Sequence, residues 1–437
     1  MTMAEVAYRA RKNGTGQLVL YFVPLTLLLY LVMPQNYLVD VGTAYMLKNR
    51  LHASAAQVAD FRLITTIPVY LSFIFGLTRD LWNPFGMRDR GYIWLFALLT
   101  AAGFFALAIL PLTMSSLYVG VFFVTVTFRF LASAYQGLMA LLGQERQMSG
   151  RITVVWQITQ YIASLAAGFI AGYVSENLST AATFILLGVL SFLIIAFGFA
   201  KPSAIFAHTY DRPEAKGTDL WGDLKRLARH RAIYAPIIMN LMFNFAPGGN
   251  TPLQYYLSDT LHASDAVYGE YNGIFAISFV PTLFLYGYLC RKYPLKNIIW
   301  WSLIITVPQM IPLVLIHSGT QALIMAVPEG LMGGLAVGAM YDLTMRSCPP
   351  GLQGSLMMMV EGVWFLASRA SDVLGSAIYQ ADPKNGFLWC VIATTIMYAA
   401  MVPVILLVPK HVMDTADGEP NPALEADVRA EVAEAGA

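Results

Sequence analysis

Apolar and polar positions in this chain alternate in long blocks rather than singly. A helix needs about 20 residues to cross roughly 30 Å of hydrocarbon, and twelve mostly apolar runs meet that length. They fall near 18–46, 54–78, 91–111, 117–143, 152–175, 180–200, 233–258, 265–290, 296–317, 321–346, 353–379 and 386–408. The pattern predicts an all-α integral membrane protein with twelve transmembrane helices. The first run is too long for a signal-peptide core and is read as the first span. The first and seventh runs are interrupted, by Pro34 and by Pro247-Gly248-Gly249, which predicts helices bent around a cavity.

Two stretches lie outside the twelve runs. Residues 201–232 are polar, with Leu220, Leu224 and Leu227 on one face and Lys225, Arg226 and Arg229 elsewhere. That spacing predicts a short helix on the membrane surface, inside a linker between an N-terminal half (1–200) and a C-terminal half (233–410). The tail, 411–437, is rich in Ala, Glu, Asp and Pro, and its composition predicts disorder.

Hydrophobic residues make up 57% of the chain and charged residues 12%, so lipid rather than water is its main solvent. A net charge of +1 argues against nucleic acid as a partner. Of the 27 Lys and Arg, 21 lie on the side shared by the two termini, which predicts an inner (plasma) membrane protein with both termini cytoplasmic. Cys290, Cys348 and Cys390 lie in or beside apolar segments and read as small apolar packing residues rather than a disulfide framework.

The halves repeat. Leu51-His52-Ala53-Ser54 recurs as Leu261-His262-Ala263-Ser264 at an offset of 210, where Tyr45 also matches Tyr255, Leu47 matches Leu257 and Asp40 matches Asn250. A duplication of six plus six helices is expected, a plan that places a ligand between the halves.

The second span ends in Gly76-x-x-x-Asp80, a short turn and Gly86-x-Arg88-x-Arg90. A glycine lets two helices approach closely, an acid at a helix end pairs with a base or a helix N-terminus, and arginines hold a turn among headgroups. This loop resembles the one between the second and third helices of the major facilitator superfamily of transporters. Further patches are similar to its folate-biopterin transporter family: Lys48-Asn49-Arg50-Leu51, Pro68, Pro84, Tyr92, Tyr255-Tyr256, and Cys348-Pro349-Pro350-Gly351-Leu352-Gln353-Gly354-Ser355. Ser72, Val69 and Gln353 stand where that family carries lysine, tryptophan and glutamate. The resemblance implies a two-half major facilitator fold, a gating role for Gly76, Asp80, Arg88 and Arg90, and a folate- or pterin-like substrate.

Transport chemistry is sought among polar groups inside the spans, where an ionised side chain costs roughly 2.5–3.5 kcal/mol and needs a partner or water. Arg129 and Gln136 share a face of the fourth span; Arg129 is expected to meet either an anionic substrate or a structural carboxylate. Asn36 and Asp40 share a face of the first span. Gln157 and Gln160 lie a turn apart on the fifth, and Asn240, Asn244 and Gln254 form a stripe on the seventh, which also carries Asn250. The eleventh carries Glu361, Trp364, Arg369 and Asp372, with Arg369 and Asp372 spaced to pair. Glu361 is the expected proton carrier, with Asp40 and Asp372 as further candidates, while Glu270, Glu329 and Asp342 are assigned to solvated span ends. A small molecule, protons and the bilayer are the expected partners of a monomer. No motif for a zinc hydrolase, nucleophile elbow, P-loop or cofactor is present, so neither an enzyme nor a cofactor is expected.

Overall fold

The structure, a computed structural model, describes residues 3–206, 220–382 and 384–420. All regular structure among them is helical. α1 (Met3–Val32) and α2 (Tyr37–Tyr45) form the first span, α3 (Ala55–Tyr70) and α4 (Ser72–Leu81) the second. α5 (Asp89–Ile109), α6 (Met114–Glu145), α7 (Ser149–Asn177) and α8 (Thr180–Phe199) are the third to sixth. The short α9 (Ser203–Phe206) and α10 (Leu220–Arg229) come next, then α11 (Tyr234–Asn244) and α12 (Asn250–Tyr255) as the seventh span. α13 (Asp265–Leu289), α14 (Leu295–Thr306), α15 (Gly319–Arg346), α16 (Gln353–Ala381) and α17 (Gly386–Met401) complete the twelve, and α18 (Lys410–Met413) follows.

Among the described residues, ten spans are long and apolar enough to cross a membrane by length and composition. The other two are the seventh, broken at 245–249, and α16, which carries Glu361, Arg369 and Asp372. The distribution of side chains is that of a protein in lipid. Leu20 and Ile109 are 77% and 84% exposed, while Thr100, Thr125, Arg129, Ser133 and Asp342 are fully enclosed. Apolar groups face outward where the solvent is apolar, and polar groups turn inward to one another.

Both expected bends are present. Pro34 cannot donate a helical N–H and pushes the residue before it out of helical geometry, so α1 stops at Val32. Asn36 restarts the helix as its N-cap, with Oδ1 accepting the Tyr37 N–H at 2.9 Å. α11 likewise stops at Asn244, and the chain is non-helical through Pro247-Gly248-Gly249. The expected repeat appears in the backbone itself. Met46–Arg50 and Tyr256–Thr260 are both π-helical turns, and each is followed by a histidine in the left-handed region, His52 at φ 52° and His262 at φ 51°. A non-glycine residue rarely adopts that geometry, so its recurrence at the same offset marks inherited structure.

The helices gather into two compact units, one formed by Met1–Arg146, Ile158–Thr218 and Gly351–Met358, the other by Gln147–Gln157, Asp219–Pro350 and Met359–Ala437. In the first, buried hydroxyls satisfy one another: Thr100 donates to Thr127 at 3.0 Å, and Thr26 pairs with Tyr135. In the second, Gly330, Gly334 and Gly338 form a stripe on α15. A Cβ at Gly330 would lie 2.5 Å from that of Ser278, so α13 and α15 meet almost backbone to backbone.

The helix α10 forms as expected, but of its expected apolar face Leu227 is buried and Leu224 partly buried while Leu220 is exposed; residues 207–219 of the linker lie outside the described residues. Disorder was expected from 411, yet 411–420 pack. Val412, Met413 and Ala416 are buried, and the Asp417 N–H donates to the Cys290 carbonyl at 2.7 Å. These three apolar residues give the segment a face to bury that its average composition hides; 421–437 lie outside the described residues. The three cysteines are buried and free, as expected of packing residues.

Candidate functional site

The conspicuous loop motif folds into a charge cluster within the first unit. Arg79, at the end of α4, binds both oxygens of Asp89 through Nε and Nη2 at 2.6 Å and donates from Nη1 to Asp80 Oδ1 at 2.7 Å. Asp80 accepts in turn the N–H groups of Gly354 at 3.1 Å and Ser355 at 2.7 Å, and the Ser355 hydroxyl at 2.7 Å. The carboxylate therefore caps the first turn of α16, where unmatched N–H groups and the positive end of the helix dipole favour an anion. Gly76 lies against the Gly354 carbonyl, which any Cβ at that position would strike.

Arg79, Asp89 and Ser355 carry no expected gating role from the sequence, although the Arg79-Asp80 pair at the span end is the signal for one. Arg90 is placed elsewhere than expected. It donates to the Gly198 and Phe199 carbonyls at 3.1 and 3.0 Å and so closes the C-terminus of α8. Arg88 opens α5 with φ 53°, its N–H held by Asn83 Oδ1 at 2.7 Å.

The second unit builds a matching cluster. Arg346 donates from Nε to Asp342 Oδ1 at 2.8 Å, Ser149 Oγ donates to the same oxygen at 2.5 Å, and the Tyr286 hydroxyl donates to Oδ2 at 2.6 Å. Asp417 accepts the Gly150 N–H at 3.1 Å and Arg151 Nε at 2.6 Å, capping the first turn of α7. Burial, with the Asp342 charge beside it, raises the Asp417 carboxyl from the ordinary carboxylate range to about 6. The expectation that Asp342 is solvated is corrected: it is fully enclosed, because Arg346 one turn on and two hydroxyls replace water.

Several predicted binding residues gather at the two helix breaks. In the first unit, Asn36 donates to the Tyr30 carbonyl at 2.5 Å and to Ser164 Oγ at 3.3 Å. Gln160, Ser164 and Gly168 form one stripe of α7, and a Cβ at Gly168 would be 3.8 Å from the Tyr37 ring, so this stripe faces the break. Gln160 Oε1 is a buried acceptor without a partner, as is Oε1 of Gln35 beside Asn36, a residue the sequence did not single out. Asp40 is held by Arg62 in a bidentate pair, 2.7 and 3.1 Å, with side chains 37% and 44% exposed.

In the second unit, Asp372 Oδ1 accepts the Thr251 N–H at 3.0 Å and Asn250 Nδ2 reaches Ser368 Oγ at 3.5 Å. No ion pair joins Asp372 to Arg369. The expected intrahelical pair gives way to a cap on α12, whose N–H groups have no helical acceptor after the break. Glu361, Phe365, Ser368 and Asp372 share a face of α16 by their spacing, so Glu361 lies two turns along the stripe that meets the break. Trp364, partly buried, stands beside it with its ring edge-on to Phe365 at 4.4 Å.

Other predicted residues are not brought there. Arg129 is enclosed entirely within the first unit, its guanidinium 5.3 Å from the Phe128 ring, and Gln136 on the same face is also buried. Gln157 is buried in the second unit, next to Trp156, whose ring meets Tyr341 at 4.9 Å. Asn244 donates back to the Asn240 carbonyl at 2.9 Å, and Gln254 is exposed on α12. Periodicity places a residue on a face but not the depth at which neighbours close over it.

The chain is 22% identical to the folate-biopterin transporter of Synechocystis sp. over 90% of its own length and 83% of that protein. It is 20% identical to folate transporter 2 of Plasmodium falciparum, covering 88% of this chain and 89% of that one. Among solved structures, the proton:xylose symporter bound to 6-bromo-6-deoxy-D-glucose superposes with a TM-score of 0.64 at 14% identity, over 93% and 98% of the two chains. A bacterial homologue of the iron transporter ferroportin, in its outward-facing state, gives 0.62 at 16% identity over 88% and 98%. The Major Facilitator Superfamily model matches residues 19–371, and with the twelve helices and the repeated broken spans this places the chain in that superfamily.

Proposed function

We propose that this protein is a secondary active transporter that moves a small polar or anionic organic solute by alternating access, with a folate- or pterin-like molecule as substrate class and protons as coupling ions. It works as a monomer in the inner (plasma) membrane with both termini cytoplasmic, the side carrying most of its Lys and Arg. The observation that carries the substrate reading is the first helix break, where Gln35 and Gln160 each hold a buried oxygen with no hydrogen bond. Such acceptors call for ligand N–H or O–H groups, which a pterin ring offers in a plane, and an unpaired buried acceptor costs roughly 1–3 kcal/mol until it is matched. The names of the similar transporters support the same class. Arg62, beside the same break and held by Asp40 in a partly exposed pair, can exchange that partner for an anionic tail. Charges at Asp80 and Asp342, each tied to the start of a long helix, suit a gate that locks and releases.

Thermal unfolding of the purified protein with folic acid and with biopterin tests this. At about 100 times its dissociation constant a ligand stabilises by roughly 2.7 kcal/mol. A rise in melting temperature that Gln160→Leu removes is expected; no rise with any folate or pterin contradicts the substrate class.

A further inference from the structure

A fully enclosed carboxyl group on α15 belongs neither to the helix breaks nor to the two charge clusters. Glu329 lies well inside α15 and is 0% exposed, which corrects its assignment to a solvated span end. The Tyr271 hydroxyl of α13 donates to its Oε2, while Oε1 has no hydrogen-bond partner. Gln309, in the turn after α14, is 1% exposed and donates from Nε2 to the Glu329 carbonyl at 2.9 Å. Its own Oε1 is likewise unmatched. A Cβ at Gly333 would fall 2.5 Å from Gln309 Nε2, and one at Gly330 2.5 Å from the Ser278 Cβ. The glycines thus press α13 and the α14 turn directly against the acid.

The titratable groups facing this enclosure are Tyr271 and Tyr268 of α13 and Tyr398 of α17. Among the described residues no cation reaches Glu329. An ionised carboxylate would therefore sit in an enclosed, membrane-level site with one donor to hold it, where charge costs roughly 2.5–3.5 kcal/mol. The neighbourhood also contains two oxygens with no donor. A proton on the carboxyl removes the charge and supplies the missing O–H. Hard cations such as calcium take about six to eight oxygen ligands, more than this enclosure offers.

We infer that Glu329 is a reversible proton-binding site, positioned by Tyr271 and Gln309, and that the coupling proton of the transport cycle rides on its carboxyl group. The second half of that inference rests on the transporter reading above; the first does not. In loading, a proton from water forms an O–H bond at Oε1 and the carboxylate becomes neutral. Release breaks that bond when the enclosure opens and water solvates the anion. Tyr271 stays protonated throughout as the donor to Oε2, and no electrons move.

Infrared difference titration of the purified protein, between about pH 5 and about pH 9 so as to lie above the range of ordinary carboxyls and below that of tyrosine, reads the proton directly. A protonated-carboxyl C=O band that fades as pH rises is expected, absent in Glu329→Gln and with its midpoint displaced in Tyr271→Phe. The same band persisting in Glu329→Gln, or a midpoint unmoved in Tyr271→Phe, overturns the assignment. Radiolabelled folic acid in proteoliposomes tests the coupling. Glu329→Gln should retain exchange and lose accumulation driven by a proton gradient; accumulation at the wild-type level overturns the coupling role. If the wild type moves no folic acid, the substrate reading fails while the infrared titration still decides whether Glu329 binds the proton.

Discussion

Asp80 accepts both the backbone N–H and the hydroxyl of Ser355 at 2.7 Å, joining residues 275 positions apart in sequence. The same carboxylate holds Arg79, so one side chain joins the arginine at the end of the second span to the first turn of the eleventh. Substituting Asp80→Asn leaves an acceptor for Ser355 but removes the ion pair with Arg79. Transport is expected to slow by about tenfold, some 1.4 kcal/mol in barrier height, with insertion and folding intact. Initial uptake rates in proteoliposomes check this. An unchanged rate at normal expression means the carboxylate has no part in gating.

The matching cluster in the second unit makes a pH-dependent prediction. The Asp417 carboxyl, raised to about 6 by burial and by the Asp342 charge, holds its proton more firmly when the segment is docked than when it is free, where an aspartate titrates near about 3.9. Its contribution to docking is thus fully present below about pH 4 and is lost as pH rises through about 6. Limited proteolysis after residue 410 should therefore be faster at about pH 7.5 than at about pH 5, with each rate corrected for the protease's own pH profile on a model peptide. Asp417→Asn should flatten the difference.

Arg129 is predicted to stabilise the first unit rather than to touch substrate. It is wholly enclosed by protein, and truncating a large buried side chain costs about 2–5 kcal/mol. Arg129→Ala should lower the melting temperature clearly while leaving ligand affinity within about threefold, under 1 kcal/mol. Lost binding at unchanged stability would return the residue to the substrate site.

Asp40 and Arg62 should behave in the opposite way. Their pair is more than a third exposed, and such pairs contribute roughly 0–1 kcal/mol to stability. Asp40→Asn is expected to shift the substrate concentration for half-maximal uptake with little change in melting temperature. A large loss of stability with unaltered uptake kinetics contradicts this.

Much of the fold could be read from the sequence, because the bilayer imposes its thickness on every span. The twelve apolar runs, the bends at Pro34 and at Pro247-Gly248-Gly249, and the offset linking His52 to His262 all reappear in the backbone. The site was less legible. Depth separates Arg129 from the face on which periodicity placed it and Glu329 from the solvated span end to which its position assigned it, and depth comes from neighbours remote in sequence. Glu329 is enclosed by residues 58 and 20 positions away. The partners of Asp372 were misjudged for a related reason: a broken helix at residues 245–249 exposes backbone N–H groups that compete with Arg369, three positions away, for the carboxylate.

The central claim is that this chain moves a folate- or pterin-like solute across a membrane at the expense of a proton gradient. The most direct measurement is uptake of radiolabelled folic acid and biopterin into proteoliposomes of the purified protein, with and without an imposed pH gradient. The account predicts accumulation above equilibrium that depends on the gradient and collapses when a protonophore is added. Uptake that never exceeds equilibrium under any imposed gradient, or no uptake of either compound by folded protein, would contradict it.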